Sequence, residues 1–379
     1  MLNEEKIESL SLLSEKNMQQ GTLRGSIRCQ IVAIKESISK NGSSFLDLEL
    51  ADHTGTKKIK IWQESAQNYS QLLSTPLNTF VELSAVFRYT PFGIQATAHA
   101  LRPLEREEIE ELLLKKGNPQ MEKDWEFLQK KIADLEDPRL RVLCQQFLSV
   151  HGEKFKRAAA AREYHHNFRG GLLRHVCQMI EASEALRQAY PSYNWDLIKA
   201  GILFHDCGKL WENDFQQNGF IMKRSKIAEL IGHIPIGVEV VNSLWRTLKD
   251  KAEFLHPFTP PAEEIRIHLL HLIIAHHGLR EYGSPTTPRT PEAWIVHILD
   301  NLDAKLEMFR CAYAEGKEIA PGIFEKKPPL EGNPIAPLDK FSFLPAPPSL
   351  QLISSNFVED FSKDVLPLPL EEKDINSID

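Results

Sequence analysis

No uninterrupted apolar run in this 379-residue sequence approaches the ~20 residues a membrane-spanning helix needs. The opening Met1–Lys6 stretch lacks the pattern of a signal peptide, so a cytoplasmic protein without a membrane partner is expected. Cysteine is scarce and odd in number, with Cys29, Cys144, Cys177, Cys207 and Cys311 scattered and no CxxC pair. That excludes a disulfide framework or zinc knuckle and suits reduced thiols. An excess of positive charge is also missing. Lys and Arg number 45 against 52 Asp and Glu, and the net charge of −7 excludes a protein that coats nucleic acid by bulk electrostatics. A polyanionic substrate must instead be held by local groups or by bound cations.

What is present divides the chain into segments of different periodicity. Residues 1–20 read as a polar helical lead-in. Residues 21–104 alternate with period two, in runs at Ser26–Lys35, Phe45–Leu50, Lys57–Trp62, Phe80–Phe87 and Gly93–Thr97. Five short strands with a helical insert near Ala66–Leu73 predict an N-terminal five-stranded OB-type β-barrel. Residues 105–160 read as a helical linker, with Asn118-Pro119 and Asp137-Pro138 as helix starts. Residues 161–318 form helix after helix, an all-α domain broken only by a possible strand at Gly219–Met222. Residues 319–379 turn proline-rich, an extension expected to be irregular. The fold class is thus multidomain α and β, with the barrel preceding the all-α domain.

On the barrel, Leu46, Leu48, Leu50, Ile59 and Ile61 take the inward alternation. Lys58, Lys60 and Trp62 then share the outer face with Phe45, while Arg88 and Tyr89 fall on a later strand. Basic side chains interleaved with aromatics bind single strands, since bases stack and phosphates pair. Asp47 and Glu49 on the same face weigh against this, towards an ordinary solvated strand face.

In the helical part, one stretch organises the rest. Gly201–Leu210 is an apolar run that ends in His205-Asp206, then Gly208 and Lys209. Alone, His-Asp at a helix end is a chance doublet. Its company changes that: His165-His166 and His175 lie upstream, and His233, His276-His277 and Asp300 downstream. Each sits on or beside a helical stretch. About five helices together offer the imidazoles and carboxylates that a buried two-metal site needs.

These residues give the segment 160–310 its resemblance to the HD-superfamily metal-dependent phosphohydrolases. More narrowly, the chain resembles the YhaM-type 3′-5′ exoribonucleases, which join an OB domain to an HD domain. The narrower likeness rests on Lys40-Asn41-Gly42 with Phe45–Gly55, on Gly170-Gly171 through His175, on Ala275–Gly278 with Glu281–Pro285, and on His297 with Asp300–Lys305. It covers about residues 20–325 and departs at the proline-rich extension.

The resemblance implies hydrolysis of phosphodiester bonds in single-stranded RNA from the 3′ end, with single-stranded DNA as a further substrate. It implies two divalent ions, manganese foremost. One would be held by His175, His205, Asp206 and Asp300, and the second by Asp206, His233 and the His276/His277 pair. Asp206, Lys209 and His166 are the candidate catalytic groups: Lys209 to steady a phosphate oxygen, His166 to contact phosphate or protonate the leaving oxygen. Asp303 is the candidate support behind the ligands. Two other readings stay open, an HD hydrolase of small or cyclic nucleotides and a non-catalytic nucleic-acid-binding OB protein. The oligomeric state is left undetermined.

Overall fold

Alternating side chains between Thr22 and Pro103 build five strands of one sheet, which Glu5–Ile7 extends to six, in the computed structural model, which describes residues 5–14, 18, 22–66, 68–114, 119–162, 166–215, 219–222, 224–326 and 328–338. The strands are β1 (Glu5–Ile7), β2 (Thr22–Ile38), β3 (Ser44–Asp52), β4 (Gly55–Trp62), β5 (Phe80–Thr90) and β6 (Gly93–Pro103). Their order is β1-β2-β3-β4-β6-β5, and β2 also pairs with β5, so strands β2–β6 close into a ring. The expected count of five is corrected to six. The sixth strand comes from the supposed helical lead-in, where Glu5–Ile7 pairs parallel with Gly25–Ile27 and a 3-10 turn follows at Leu10–Leu12. That turn is anchored by Asp52, whose Oδ2 accepts the Leu10 N–H at 2.7 Å. A tertiary hydrogen bond of this kind leaves no trace in local periodicity.

The inward alternation is as expected: Leu46, Leu48, Leu50, Ile59 and Ile61 are all buried. At about 1.5–3 kcal/mol per fully buried aliphatic side chain, this row dominates the stability of the sheet. Helix α1 (Tyr69–Ser74) covers it, starting slightly later than the predicted insert.

The rest of this part of the chain is helical: α2 (Arg106–Leu114), α3 (Pro119–Ala133), α4 (Pro138–Arg157), α5 (Gly171–Ala189), α6 (Trp195–Phe204), α7 (Lys209–Glu212), α8 (Lys226–Ile231), α9 (His233–Leu248), α10 (Ala252–Leu255), α11 (Ala262–Ala275) and α12 (Pro291–Glu315). Helix α4 starts where Asp137-Pro138 predicts, with Asp137 accepting the Arg139 N–H. Thr290 caps α12 through the Ala293 N–H. Helix α6 is hydrophobic nearly all round and is the buried axis, touched by α5, α11 and α12. A central helix without a polar face has nowhere to go but inside.

Sheet and helices meet at Phe220, whose ring lies 6.0 Å from that of Phe80 and whose N–H donates to Gln30 Oε1 at 2.8 Å. The expected strand at Gly219–Met222 is reduced to one bridge, Phe215 to Met222. After α12 a short hairpin, β7 (Glu318–Ala320) and β8 (Ile323–Phe324), replaces the irregular start of the extension. Tyr313 Oη bonds the Ile335 carbonyl there at 2.9 Å. Residues 339–379 of that extension, and His165, lie outside the described residues. Among the described residues no helix is long and apolar enough to cross a membrane.

Candidate metal centre

Five helices deliver the candidate ligands to one place. His175 comes from α5, His205-Asp206 from the end of α6, His233 from the first position of α9, His276-His277 from the end of α11, and Asp300 from α12. Helix α6 ends because Asp206–Gly208 turns into α7, which lets the adjacent His205 and Asp206 side chains converge. Gly208 is required by close approach. A Cβ there would lie 1.9 Å from the His233 carbonyl oxygen, so only glycine lets the start of α9 pack against this turn. Cys207 is packing, buried against Gly237.

The donors separate into two halves around Asp206. On one side, His175 Nε2 lies 3.3 Å from His205 Nε2 and 3.2 Å from Asp300 Oδ1, and His205 Nε2 lies 3.3 Å from Asp206 Oδ2. On the other, His233 Nε2 and His276 Nε2 each lie 3.5 Å from Asp206 Oδ1. His277 completes a second group with His233 and His276. Donor atoms about 2.1 Å from a common ion and at right angles to one another are separated by about 3 Å, the spacing seen here.

Tautomers decide what these atoms can do. His205 and His276 donate Nδ1–H to the carbonyls of Ile202 and Ile273, each at 2.7 Å. His277 donates Nδ1–H to the Tyr282 carbonyl at 2.7 Å. His175 and His233 point Nδ1 at carboxylates, Asp303 Oδ2 at 2.6 Å and Glu212 Oε2 at 3.0 Å. A neutral ring so held turns its Nε2 lone pair inwards. Asp206 Oδ1, His233 Nε2 and His276 Nε2 are buried without hydrogen-bond partners and face one another. Lone pairs opposed in a buried site are unfavourable unless a shared positive group lies between them, and two imidazoles with a carboxylate are a donor set that fits a divalent metal.

Charge supports the same reading. Burial, with the neighbouring imidazoles, pushes His277 down to about 3, and burial lowers His276 despite Asp206, so both rings stay neutral. His175 is the exception: burial opposes its charge, but Asp300 and Asp303 outweigh that and raise it to about 9. A divalent ion held by His175 would take the place of that ring proton. Burial works against the Asp206 carboxylate, yet Lys209 and His205 hold it well below the usual range.

The remaining expected residues fall as follows. Lys209 Nζ sits on Asp206 Oδ2 at 2.6 Å, inside the centre. His166 is buried beside His175, with Nε2 2.8 Å from the same Asp303 oxygen that holds His175. Its backbone has φ of +46°, a left-handed value rare outside glycine, and its carbonyl occupies the space a Gly171 Cβ would need. Glu212 is not among the expected residues, and His297 braces the His276 carbonyl through Nδ1 at 2.8 Å. The only sequence signal for Glu212 is its place one turn after Lys209.

On the sheet, Phe45 and Trp62 are register partners with ring centroids 5.0 Å apart, and Lys60 lies 5.5 Å over the Phe45 ring. Lys60, Gln95 and Arg88 form one row across β4, β6 and β5, and Lys58 shares its face. Tyr89 takes the opposite alternation, in register with Ile94, and is not brought to that face. Asp47 and Glu49 pair with Lys60 and Lys58 and temper the positive charge.

A helical bundle that gathers His, His-Asp and Asp around a buried centre defines a metal-dependent hydrolase of the HD class, and residues 172–305 match the HD domain family. The chain belongs to the family of the 3′-5′ exoribonuclease YhaM. It is similar to that protein from Oceanobacillus iheyensis (30% identical over 300 residues, 78% of this chain and 88% of the relative). It is equally similar to the one from Geobacillus sp. strain WCH70 (32% over 302 residues, 78% and 86%). Among solved structures, the second OB-fold domain of replication protein A from Methanococcus maripaludis matches at a TM-score of 0.20, 20% identical over 27% of this chain and 97% of its own.

Proposed function

We propose that this chain is a 3′-5′ exoribonuclease that holds single-stranded RNA on an OB-type barrel, residues 21–104, and hydrolyses it in the HD domain, residues 161–318. The observation that carries the reading is the opposed, partnerless trio Asp206 Oδ1, His233 Nε2 and His276 Nε2, in a chain whose curated relatives bear that name. Asp206 turns one oxygen to each half of the donor set, so it would serve as a ligand to a cation held in either half. His175, His205 and Asp300 would complete one ion, and His233, His276 and His277 the other. Bound there, such ions, manganese foremost, supply the charge that draws a scissile phosphate and activates water.

This chain's own groups do the orienting. Asp303, Glu212 and the carbonyls of Ile202, Ile273 and Tyr282 fix every ring so that Nε2 faces the centre. Lys209 balances Asp206 and stands beside the place a nonbridging phosphate oxygen would take. His166 enters as a positioning residue, holding Asp303 from behind rather than moving a proton to the leaving oxygen. Phe45 and Trp62 offer stacking surface, and Lys58, Lys60 and Arg88 the phosphate contacts.

The test is a time course on 3′- and 5′-labelled oligoribonucleotides, and on the matching DNA, with manganese. A 5′ label should report a ladder shortening stepwise while a 3′ label is released at once as a mononucleotide. An intact oligomer alongside rapid cleavage of small nucleotide esters would reject the reading in favour of a small-nucleotide hydrolase.

A further inference from the structure

The outer face of β3 does not end at the Phe45–Trp62 pair. Alternation carries it on through Asp47 and Glu49 to Ala51, which is buried with Phe80 and Phe220 where sheet and helices meet. At Glu49, between the pair and that contact, the face borders a cavity of about 280 Å³. Small-molecule sites begin at about 300 Å³, so there is room for roughly one nucleotide. Glu49 and Thr56 line its sheet side, and Arg162, Asn167, Phe168 and Phe215 its helical side. Phe45 and Glu49 are four residues apart on one strand, about 14 Å.

The helical side of the cavity is tied to the metal centre. Arg162 donates to the carbonyl of Glu212, whose carboxylate holds His233. The Phe168 ring stands 6.0 Å from that of His166, which shares Asp303 with His175. One wall thus continues the sheet face, and the other adjoins residues that brace each half of the donor set.

We propose that this cavity is a nucleotide subsite on the route of the strand from sheet to metal centre, holding a nucleotide on the 5′ side of the cleaved end; this rests on the exoribonuclease reading. Single-stranded bases are recognised by stacking on aromatic rings and by hydrogen bonds at their edges. Phe168 offers the ring, Asn167 and Glu49 the polar edge, and Arg162 a cation for one phosphate. Charge argues against a free nucleoside di- or triphosphate as the occupant. Arg162 and Arg224 are matched by Glu49 and Asp52, and Arg224 is already joined to Glu229. A base carrying a single phosphate suits that balance better than a polyphosphate.

A removable block at the cavity edge tests the route. Thr56 is exposed there, while Cys29, Cys144, Cys177 and Cys207 are buried. In a Cys311→Ser background, Thr56→Cys is joined through a disulfide to a bulky thiol reagent, and the modified protein is compared with the same protein after reduction. The modified form should bind an oligoribonucleotide of about 12 nucleotides at least ~10-fold more weakly in EDTA, by fluorescence anisotropy. With manganese it should shorten that oligomer correspondingly more slowly and split a dinucleotide at an unchanged rate. Reduction should restore both oligomer readouts. From the helical side, Phe168→Leu should raise the oligomer Kd by about 5-fold or more with unchanged manganese content.

Equal oligomer binding by the modified and reduced forms overturns the subsite, as does an unchanged Kd in Phe168→Leu. Loss of AMP binding on modification, with oligomer binding spared, overturns it in favour of an effector site. RNA that is shortened while the block has no effect leaves the nuclease reading standing and removes the subsite. Oligomer binding that responds to the block in a chain that never shortens RNA does the reverse. A wild-type chain that binds no RNA overturns both.

Discussion

Glu212 Oε2 lies 3.0 Å from His233 Nδ1, and that bond decides which nitrogen of His233 faces Asp206. The bond from His233 also holds Glu212 below its ordinary range, so it remains a charged acceptor. Supports of this kind set the tautomer and basicity of a ligand and are worth about 10- to 100-fold in metal affinity. Glu212→Ala should weaken manganese binding by roughly that factor, measured by calorimetry. Activity should return at high manganese concentration. Loss of activity that excess metal does not restore would show that Glu212 acts otherwise.

Among the described residues, Asp206 alone has an oxygen in each half of the donor set. Asp206→Ala should therefore remove both ions. Metal activation is worth several kcal/mol, so turnover on a labelled oligoribonucleotide should fall on the order of 10³-fold or more. Retention of two manganese per chain in that variant would contradict the bridging geometry.

Trp62 and Phe45 pair across β3 and β4 on the outer face of the sheet. Base stacking is worth about 1–3 kcal/mol per base. Trp62→Ala should raise the Kd for a long oligoribonucleotide by about 5- to 150-fold and leave cleavage of a dinucleotide nearly unchanged. An equal loss on both substrates would take the sheet out of substrate binding.

Asp52 ties the 3-10 turn at Leu10 to the sheet. Burial opposes its charge, but the His53 ring, the Thr54 groups and the Leu10 N–H outweigh that and depress its pKa. A depressed folded pKa means the carboxylate stabilises the fold above its unfolded pKa of about 3.9, and that contribution is lost as pH falls through the folded value. Protection of the Leu10 amide, its exchange measured against the intrinsic rate at each pH, should be high near neutral pH and fall in acid below about pH 4. Asp52→Asn should show the lower protection already at pH 7.

Much of this protein is written locally. Period two from Thr22 to Pro103 and the inward row of Leu46, Leu48, Leu50, Ile59 and Ile61 follow from side-chain alternation alone. The helix starts at Pro138 and Pro291 follow from capping chemistry. The candidate donors, His175, His205-Asp206, His233, His276-His277 and Asp300, stand out in the sequence because few other arrangements ask for those residue types together.

Only the tertiary structure decided the rest. The strand Glu5–Ile7 exists because Gly25–Ile27 offers an edge, and short segments take the conformation their neighbours impose. Glu212 and the inward role of His166 depend on which chain segments meet, and sequence spacing does not encode that. Hydrophobic period fixes that a helix has two faces; packing alone chooses which one is covered.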